Sequence, residues 1–394
     1  MNLDPLDGRP VEVILNLEKL KSDYPDGEWY HPEIPSLWRF GPLMAMDITN
    51  PEDAGYIPEI SVGRTPLINY DHHPLAKQHS FSLSIKDEGE AHQGYGSNPT
   101  GSFKDRGMVM VVSMAKKFGL QKLVVPTQGN AGDSLAYFAD KIGFEAVIIM
   151  PDDTPSPIIE SVAAIEKRNP KIKLHTMKGT IREAGQIMKE QYVPQGYFNV
   201  ATFQEPGWRI EGKKSLGLEL AEPKADGEPW KLPDVIIYPT GGGTGILGMW
   251  KAFDELEALG MIDSKRPKII GVQSEETSPV VDAIRQNLAD VPAIDPGWTT
   301  APGLNVAGGV GLFKVIDIIR KSGGTALAIP ESRIKANTNQ LYAETDWYIT
   351  TEGAATLAAL DELVADGFIR QNDHVVACNT CTLKKYFSGS DLPL

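Results

Sequence analysis

The sequence has very few cysteines. Only Cys378 and Cys381 are present among 394 residues, close together near the C-terminus. Two cysteines are too few for a disulfide framework or a four-ligand zinc site, so we predict no metal. A C-x-x-C pair can be redox-active, but its surroundings do not resemble the start of a thioredoxin. We therefore interpret the pair as packed in the interior.

Positive charge is also scarce. Lys and Arg together number 38 against 52 Asp and Glu, which gives a net charge of -14 at pH 7. A field of that sign repels nucleic acid and anionic lipid, so neither is an expected partner. An anionic substrate would therefore have to meet a local positive pocket.

Long apolar runs are missing as well. No run approaches the length of a membrane span, and residues 1–10 lack the basic stretch and apolar core of a signal peptide, so we expect a cytoplasmic protein. What is present, 41% hydrophobic and 23% charged residues, is typical of a soluble globular protein. The length suits two lobes. Residues 1–60 are rich in Pro, Trp and Tyr, and we predict that they form an N-terminal arm.

Short β-branched segments alternate with amphipathic segments along most of the chain. The strand-like segments are 122–126, 146–150, 234–238, 268–272 and 374–377, and the helix-like segments are 108–118, 132–142, 158–168, 244–259 and 351–365. Such alternation is typical of βαβ units, in which helices cover both faces of a parallel sheet. The sequence therefore predicts an α/β fold.

The segment 98–107, NPTGSFKDRG, places one lysine, Lys104, after a turn rich in Pro and Gly and at a predicted helix start. The positive end of the helix dipole disfavours an added ammonium charge, which favours a neutral amine at this position. Such an amine suits Schiff-base chemistry. Taken singly, a lysine after a turn is more often an ordinary solvated residue.

Two further segments join a strand to a helix through small residues. They are 126–134, PTQGNAGDS, and 239–248, PTGGGTGILG. Exposed amides at such a junction suit an anion, although the first segment alone would be weak evidence. The second lies between a buried strand and an amphipathic helix, which favours a phosphate site. It lacks the Gly-Lys-Ser/Thr of a Walker loop and comes too late in the chain for a dinucleotide fingerprint.

Together with the strand end at 375–382, these segments resemble the fold-type II pyridoxal-phosphate enzymes over about residues 60 to 386. The wording of 98–107 is nearest to threonine synthase and its paralogues. The resemblance implies a tryptophan synthase β-like fold, with two lobes that each have a largely parallel sheet flanked by helices. The cofactor, pyridoxal 5'-phosphate, would lie in the cleft between them. We assign 61–100 and 212–394 to a large cofactor-binding domain and 101–211 to a small mobile domain.

The resemblance also implies roles for individual residues. Lys104 would hold the cofactor as a Schiff base and move protons at the α- and β-carbons of the substrate, with Ser102 nearby. Asn130 would bind the ring 3-oxygen. Thr380 would lie beside the pyridine nitrogen, where a hydroxyl leaves that nitrogen largely unprotonated. The residues implied to hold the cofactor phosphate are Gly241, Gly242, Gly243, Thr244 and Gly245, and those around the substrate carboxylate are Thr127, Gln128, Gly129 and Ala131.

The leading interpretation is a lyase of the threonine synthase type, which eliminates phosphate from O-phosphohomoserine and adds water at the β-carbon. That reaction needs a second anion pocket, and residues 199–214 resemble the stretch that carries its arginine, here Arg209. An arginine there can clamp a phosphate, or it can pair with Glu205 or Glu211 on a surface. This chain lacks the Asn-Ser pair that precedes the arginine in threonine synthases, and it has Ala131 where they commonly carry threonine.

Three alternatives remain open at the level of sequence. One is a β-eliminating ammonia-lyase of the threonine or serine dehydratase type, and another is a β-replacement enzyme on a phospho- or hydroxy-amino acid. The third is a catalytically silent, ligand-binding relative, against which the intact Lys104 and glycine loop count. In each case we expect a small amino acid as ligand, and the family likeness implies a homodimer.

Overall fold

The computed structural model describes residues 3–25, 27–203, 205–225, 227–292, 294–345 and 347–387. No helix in these ranges combines the length and the apolarity that crossing a lipid bilayer requires. The chain folds as two compact units. Among the described residues, unit 1 comprises 3–63, 98–213 and 384–387, and unit 2 comprises 64–97 and 214–383. The arm and domain boundaries assigned from the sequence stay a prediction.

Ten strands and fourteen α-helices are defined within the described ranges. The strands are β1 (Leu67–Asn69), β2 (Ser82–Asp87), β3 (Lys122–Pro126), β4 (Glu145–Pro151), β5 (Ile172–Met177), β6 (Phe198–Asn199), β7 (Val235–Pro239), β8 (Lys268–Ser274), β9 (Thr325–Ile329) and β10 (His374–Asn379). The helices are α1 (Leu17–Asp23), α2 (Pro51–Ala54), α3 (Pro74–His79), α4 (Lys104–Lys117), α5 (Asn130–Ile142), α6 (Ser156–Arg168), α7 (Ile181–Ile187), α8 (Trp208–Ala221), α9 (Thr244–Ala258), α10 (Pro279–Arg285), α11 (Leu312–Lys321), α12 (Glu331–Thr345), α13 (Thr351–Ala358) and α14 (Leu360–Ala365).

Unit 1 contains a four-stranded sheet in the order β5-β4-β3-β6, in which every pair is parallel. The β-branched residues of β3 and β4 are fully buried, with Val124 opposite Val147. Such continuous apolar runs are typical of parallel strands that are covered on both faces. Val124 and Val147 pack with Ile149, Ala184 and Met188 in one buried cluster.

Unit 2 contains a six-stranded sheet in the order β1-β2-β10-β7-β8-β9. Its five later strands in this order are parallel, and only β1 pairs antiparallel, at the edge. Because β7 and β10 are parallel neighbours, with Ile237 opposite Ala377, their carboxyl ends meet at the same edge of the sheet. Ligands of open α/β sheets bind at this edge. The predicted α/β class with two helix-flanked, largely parallel sheets is confirmed.

Two details refine the sequence-based predictions. The helix predicted over 351–365 is two helices, α13 and α14, because the hydrogen-bond ladder is interrupted at Ala359, where neither Gly nor Pro marks a break. The interpretation of Cys378 and Cys381 as interior residues is confirmed, since both are buried free thiols. Burial also raises the pKa of the Cys378 thiol, which keeps it protonated and unreactive.

Candidate active site

Lys104 is the first residue of α4, as the sequence predicted. Its amide donates a hydrogen bond to the Ser102 hydroxyl at 3.3 Å, and the Ser102 side chain is fully buried. The Lys104 amine lies 4.2 Å from the centroid of the Phe103 ring. A half-buried amine is therefore held beside an aromatic face at the positive end of a 14-residue helix.

Asp105, directly after this lysine, fastens the start of α4. Its carboxylate accepts hydrogen bonds from the amide and the hydroxyl of Thr100, at 2.7 and 2.8 Å, and from the Ser134 hydroxyl at 2.6 Å. Burial raises the pKa of Asp105 to about 6, and these hydrogen bonds act in the opposite direction. Three donors from two segments thus hold the residue next to Lys104 in place.

The loop between β3 and α5 carries the residues implied to bind the substrate carboxylate. The Thr127 hydroxyl accepts a hydrogen bond from the Gly129 amide at 3.1 Å, and Gln128 between them is exposed. Asn130 is the first residue of α5, and its Nδ2 donates to the Tyr386 hydroxyl at 3.2 Å. Ala131 follows, half-buried. The amides of this loop precede a 13-residue helix, an arrangement that suits a carboxylate.

Arg209 is the second residue of α8 and is buried, with 2% of its surface exposed. Its Nη1 donates to the Val200 carbonyl at 3.2 Å, and its amide donates to a carboxylate oxygen of Glu205 at 3.3 Å. Burial lowers the pKa of Arg209, whereas the charge of Glu205 raises it. Glu205 and Glu211 are also buried, so a pair of Arg209 with either of them would lie in the interior and not on a surface.

The glycine loop of unit 2 lies between β7 and α9. Gly243 has φ 65°, in the left-handed region that favours glycine, and it caps the helix that begins at Thr244. A Cβ on Gly245 would lie 2.0 Å from the Tyr238 hydroxyl, so only glycine fits there. Because the cap residue is a glycine, no side chain of its own covers the amides of the first turn. These amides and the dipole of a 15-residue helix are suited to an anion.

Thr380 follows the last residue of β10 and is 8% exposed. Asn379 before it is held on both sides: its Nδ2 donates to Asp87 at 2.8 Å, and its Oδ1 accepts from the amide and hydroxyl of Thr350, at 3.1 and 3.0 Å. The glycine loop and Thr380 therefore follow two neighbouring parallel strands at one edge of the unit 2 sheet. Both belong to unit 2, while Lys104, Ser102, residues 127–131 and Arg209 belong to unit 1.

Sequence reasoning missed three side chains that the structure places at these positions. Lys213 is fully buried near Lys104, and its position one helical turn after Arg209 was a usable signal. Asn379 orients the strand end before Thr380. Tyr386 contacts Asn130 across 256 positions of the chain, a contact that no local pattern could have indicated.

Each unit offers protein groups whose chemistry fits particular groups of pyridoxal phosphate. Unit 1 offers the Lys104 amine for the cofactor aldehyde. Unit 2 offers backbone amides at a helix start for the phosphate and the Thr380 hydroxyl at the same sheet edge. Each of these donors matches the chemistry of one group of the cofactor.

Comparisons with known proteins agree with this fit. Residues 59–380 match the family described as "Pyridoxal-phosphate dependent enzyme". Threonine synthase from Methanocaldococcus jannaschii is 28% identical over 378 residues, which cover 95% of this chain and 86% of that protein. Threonine synthase from Methanosarcina acetivorans is 29% identical over 375 residues, covering 95% and 85%.

A solved structure shares the fold. The processed form of threonine deaminase isoform 2 from Solanum lycopersicum superposes with a TM-score of 0.65 at 21% identity, covering 88% of each chain. At that identity the likeness concerns the fold alone. The chain therefore belongs to the family of pyridoxal-phosphate-dependent enzymes, has their fold-type II architecture and is a lyase that depends on this cofactor.

Proposed function

We propose that this enzyme eliminates phosphate from O-phosphohomoserine and adds water at the β-carbon, forming threonine. One water molecule is consumed and one phosphate is released. The names of the two archaeal relatives support this reaction. The observation that carries the proposal is the buried guanidinium of Arg209, which supplies a positive charge for a second anion.

Arg209 is suited to a substrate anion because the protein groups around it balance its positive charge only in part. Burial raises the pKa of Glu205, so this neighbouring carboxylate is itself disfavoured as an anion. Within the described residues, the Arg209 Nε is buried and has no hydrogen-bond partner. A phosphate oxygen could accept from this nitrogen, and guanidinium–phosphate hydrogen bonds are among the strong ones.

The remaining residues take roles around this anion. When bound, the cofactor supplies an electron sink for the α-carbon of the substrate. Lys104 removes and returns protons at the α- and β-carbons and holds the cofactor covalently through its aldehyde. Asn130 would hold the ring oxygen, and the Thr380 hydroxyl would be available to the ring nitrogen. The substrate carboxylate is held by Thr127, Gln128, Gly129 and Ala131, and the cofactor phosphate by Gly241, Gly242, Gly243, Thr244 and Gly245.

The test is a comparison of products. Purified holoenzyme should release phosphate and threonine in equal amounts from O-phosphohomoserine, measured by a phosphate assay and by amino-acid chromatography. Arg209→Gln should raise KM for this substrate by about 10- to 100-fold, because one charged hydrogen-bond donor is lost. Lys178→Gln, which alters an exposed lysine of the same unit, should match the wild type. Phosphate release without threonine would reject the proposal.

One observation favours a second candidate. Ala131 offers a methyl group at the start of α5 where threonine synthases commonly carry a hydroxyl. With Ala131, a side-chain contact to the substrate is missing, which counts against the threonine synthase reaction. Release of a 2-oxoacid and ammonia from serine or threonine, with no threonine formed from O-phosphohomoserine, would identify that enzyme.

We further propose that the enzyme is a cytoplasmic homodimer. Support comes from the family likeness for the dimer and from the composition for the compartment. Sedimentation equilibrium of the purified protein should give twice the mass of one chain, and fractionation of cells should recover the enzyme with the cytoplasm. A monomeric mass would contradict the first part.

A further inference from the structure

The start of α8 carries buried charged side chains that the proposed reaction uses only in part. Arg209 and Lys213 are one helical turn apart and therefore share a face of the helix. Glu205 precedes the helix, and its carboxylate accepts a hydrogen bond from the Arg209 amide. The exposed fractions of Glu205, Arg209 and Lys213 are 1%, 2% and 0%. Charged groups this deeply buried are rare unless they have a structural or binding role.

The position of Lys213 follows from a close crossing of α8 with α4. A Cβ on Gly212 would lie 1.9 Å from the Arg106 carbonyl oxygen, so the two backbones are in contact at this point. A Cβ on Gly107 would lie 3.0 Å from the Arg209 carbonyl and 3.2 Å from Cε of Lys213. Glycine on both helices thus allows the Lys213 side chain to run along the start of α4.

This crossing brings Lys213 to the lysine that begins α4. The Lys213 amine lies 5.0 Å from the centroid of the Phe103 ring, and the Lys104 amine lies 4.2 Å from the same centroid. A single aromatic ring therefore carries both amines within cation–π range. Lys213 is a neighbour of the group proposed to move protons, and it is on the helix face of the residue proposed to bind the substrate anion.

The charges around Lys213 favour the arrival of an anion. Burial lowers the pKa of Lys213 well below that of an ordinary lysine, Lys104 and Arg209 lower it further, and Glu205 acts in the opposite direction. Of the other charged groups at the start of α4, Asp105 is engaged by Thr100 and Ser134. A bound dianion would offset the repulsion among the three cationic groups.

We propose that Lys213 is a second cationic ligand, beside Arg209, for a phosphate group on the side chain of the amino-acid substrate. The proposal rests on the proposed function in one respect, namely that Arg209 binds the distal anion. It goes further in assigning a second donor and in stating that the site takes a dianion. An ammonium and a guanidinium together offer the charge that a phosphate monoester requires.

Binding of inorganic phosphate to the holoenzyme tests this without turnover. Calorimetry at an alkaline pH, at which inorganic phosphate is a dianion, should give a Kd about 10- to 100-fold higher for Lys213→Gln than for the wild type. Lys213→Arg keeps a cation and should recover most of the affinity. Lys178→Gln should bind as the wild type does. Titrations in two buffers that differ in ionisation enthalpy should show proton uptake by the wild type and none by Lys213→Arg, whose guanidinium stays charged.

A second ligand separates binding from structure. The affinity for serine, which has no phosphate, should be unchanged in Lys213→Gln, as read from the absorbance of the bound cofactor. Equal loss of serine and phosphate binding would mean that Lys213 only supports the fold, and would overturn the proposal. So would an unchanged Kd for phosphate in a folded Lys213→Gln protein. If Lys213→Gln does not fold, Lys213→Met is measured in the same way, and an unchanged Kd for phosphate in that protein overturns the assignment.

The two proposals fail separately. An enzyme that forms no threonine from O-phosphohomoserine but binds phosphate through Lys213 would refute the reaction and leave the anion site. An enzyme that forms threonine while Lys213→Gln binds phosphate normally would refute only the role of Lys213.

Discussion

In unit 1 the proposed acid–base group and the proposed ligands of the distal anion are charged side chains, whereas in unit 2 the groups predicted to hold the cofactor are backbone amides and a hydroxyl. Burial lowers the pKa of both Arg209 and Lys213, and the charges of Lys104 and Arg209 lower that of Lys213 further. The glycine loop has no titratable group in its first turn, since its charge comes from aligned peptide dipoles. Substitution and pH should therefore change the chemistry of unit 1, whereas the glycine loop of unit 2 should respond to substitution through its packing.

The largest expected effect of this difference is at Lys104. Lys104→Ala removes the proposed acid–base group and should lower kcat by about 100- to 10,000-fold. Phosphate release at saturating O-phosphohomoserine measures this, with Lys178→Ala as the control. Retention of the wild-type rate by Lys104→Ala would show that the chemistry of unit 1 lies elsewhere.

The comparison of the two units can be tested further through the pH dependence of stability, to which Asp105 of unit 1 contributes. Its pKa is raised from 3.8 to about 6 in the folded protein, so ionisation of this carboxyl opposes folding. The contribution of Asp105 to the free energy of unfolding should fall by about 3 kcal/mol as the pH rises from about 4 to about 6. It should stay low at higher pH.

Urea unfolding of the wild type and of Asp105→Asn at both ends of that range checks this. The difference between the two proteins isolates Asp105 from the other carboxyls. Because Asn cannot ionise, the variant should lack this part of the change, and parallel pH profiles would contradict the assigned pKa.

Unit 2 should respond to added volume at one glycine and much less at its neighbour. Gly245→Ala places a Cβ 2.0 Å from the Tyr238 hydroxyl and should reduce the free energy of unfolding by about 1–3 kcal/mol. Gly242→Ala meets nothing within 4 Å and is the matched control. Thermal unfolding of both variants measures the difference, and equal melting temperatures would show that the loop adjusts freely.

The strands β3, β4, β7, β8 and β10 could be predicted from the sequence because they are short, β-branched and largely buried. The strands β1, β2, β5, β6 and β9 were not predicted, and β1, β5 and β6 are short or only partly buried. The strand predicted over 122–126 has the observed bounds, and the helix predicted over 132–142 begins only two residues earlier. The break at Ala359 could not be predicted, because the hydrogen-bond ladder is interrupted there without a change of residue type. Sequence-based prediction relies on hydrophobic periodicity, and the periodicity does not change at Ala359.

The candidate site was predictable where the chemistry lies in a contiguous segment. Residues 98–107 and the glycine loop could be identified as candidate site segments for that reason. The burial of Arg209 and the position of Lys213 were not, since both depend on the crossing of α4 and α8 at Gly107 and Gly212. A sequence shows that two glycines exist, but not that two helices meet there.

The attachment of Asp105 has a consequence for how far the reacting amine can travel. With the next residue hydrogen-bonded to Thr100 and to Ser134, the backbone that carries Lys104 is anchored to both of these segments. Any displacement of the amine between one carbon of the substrate and the next must come from rotations about the four-carbon stem of its own side chain. The distance over which the amine can act is then limited by the length of the lysine side chain.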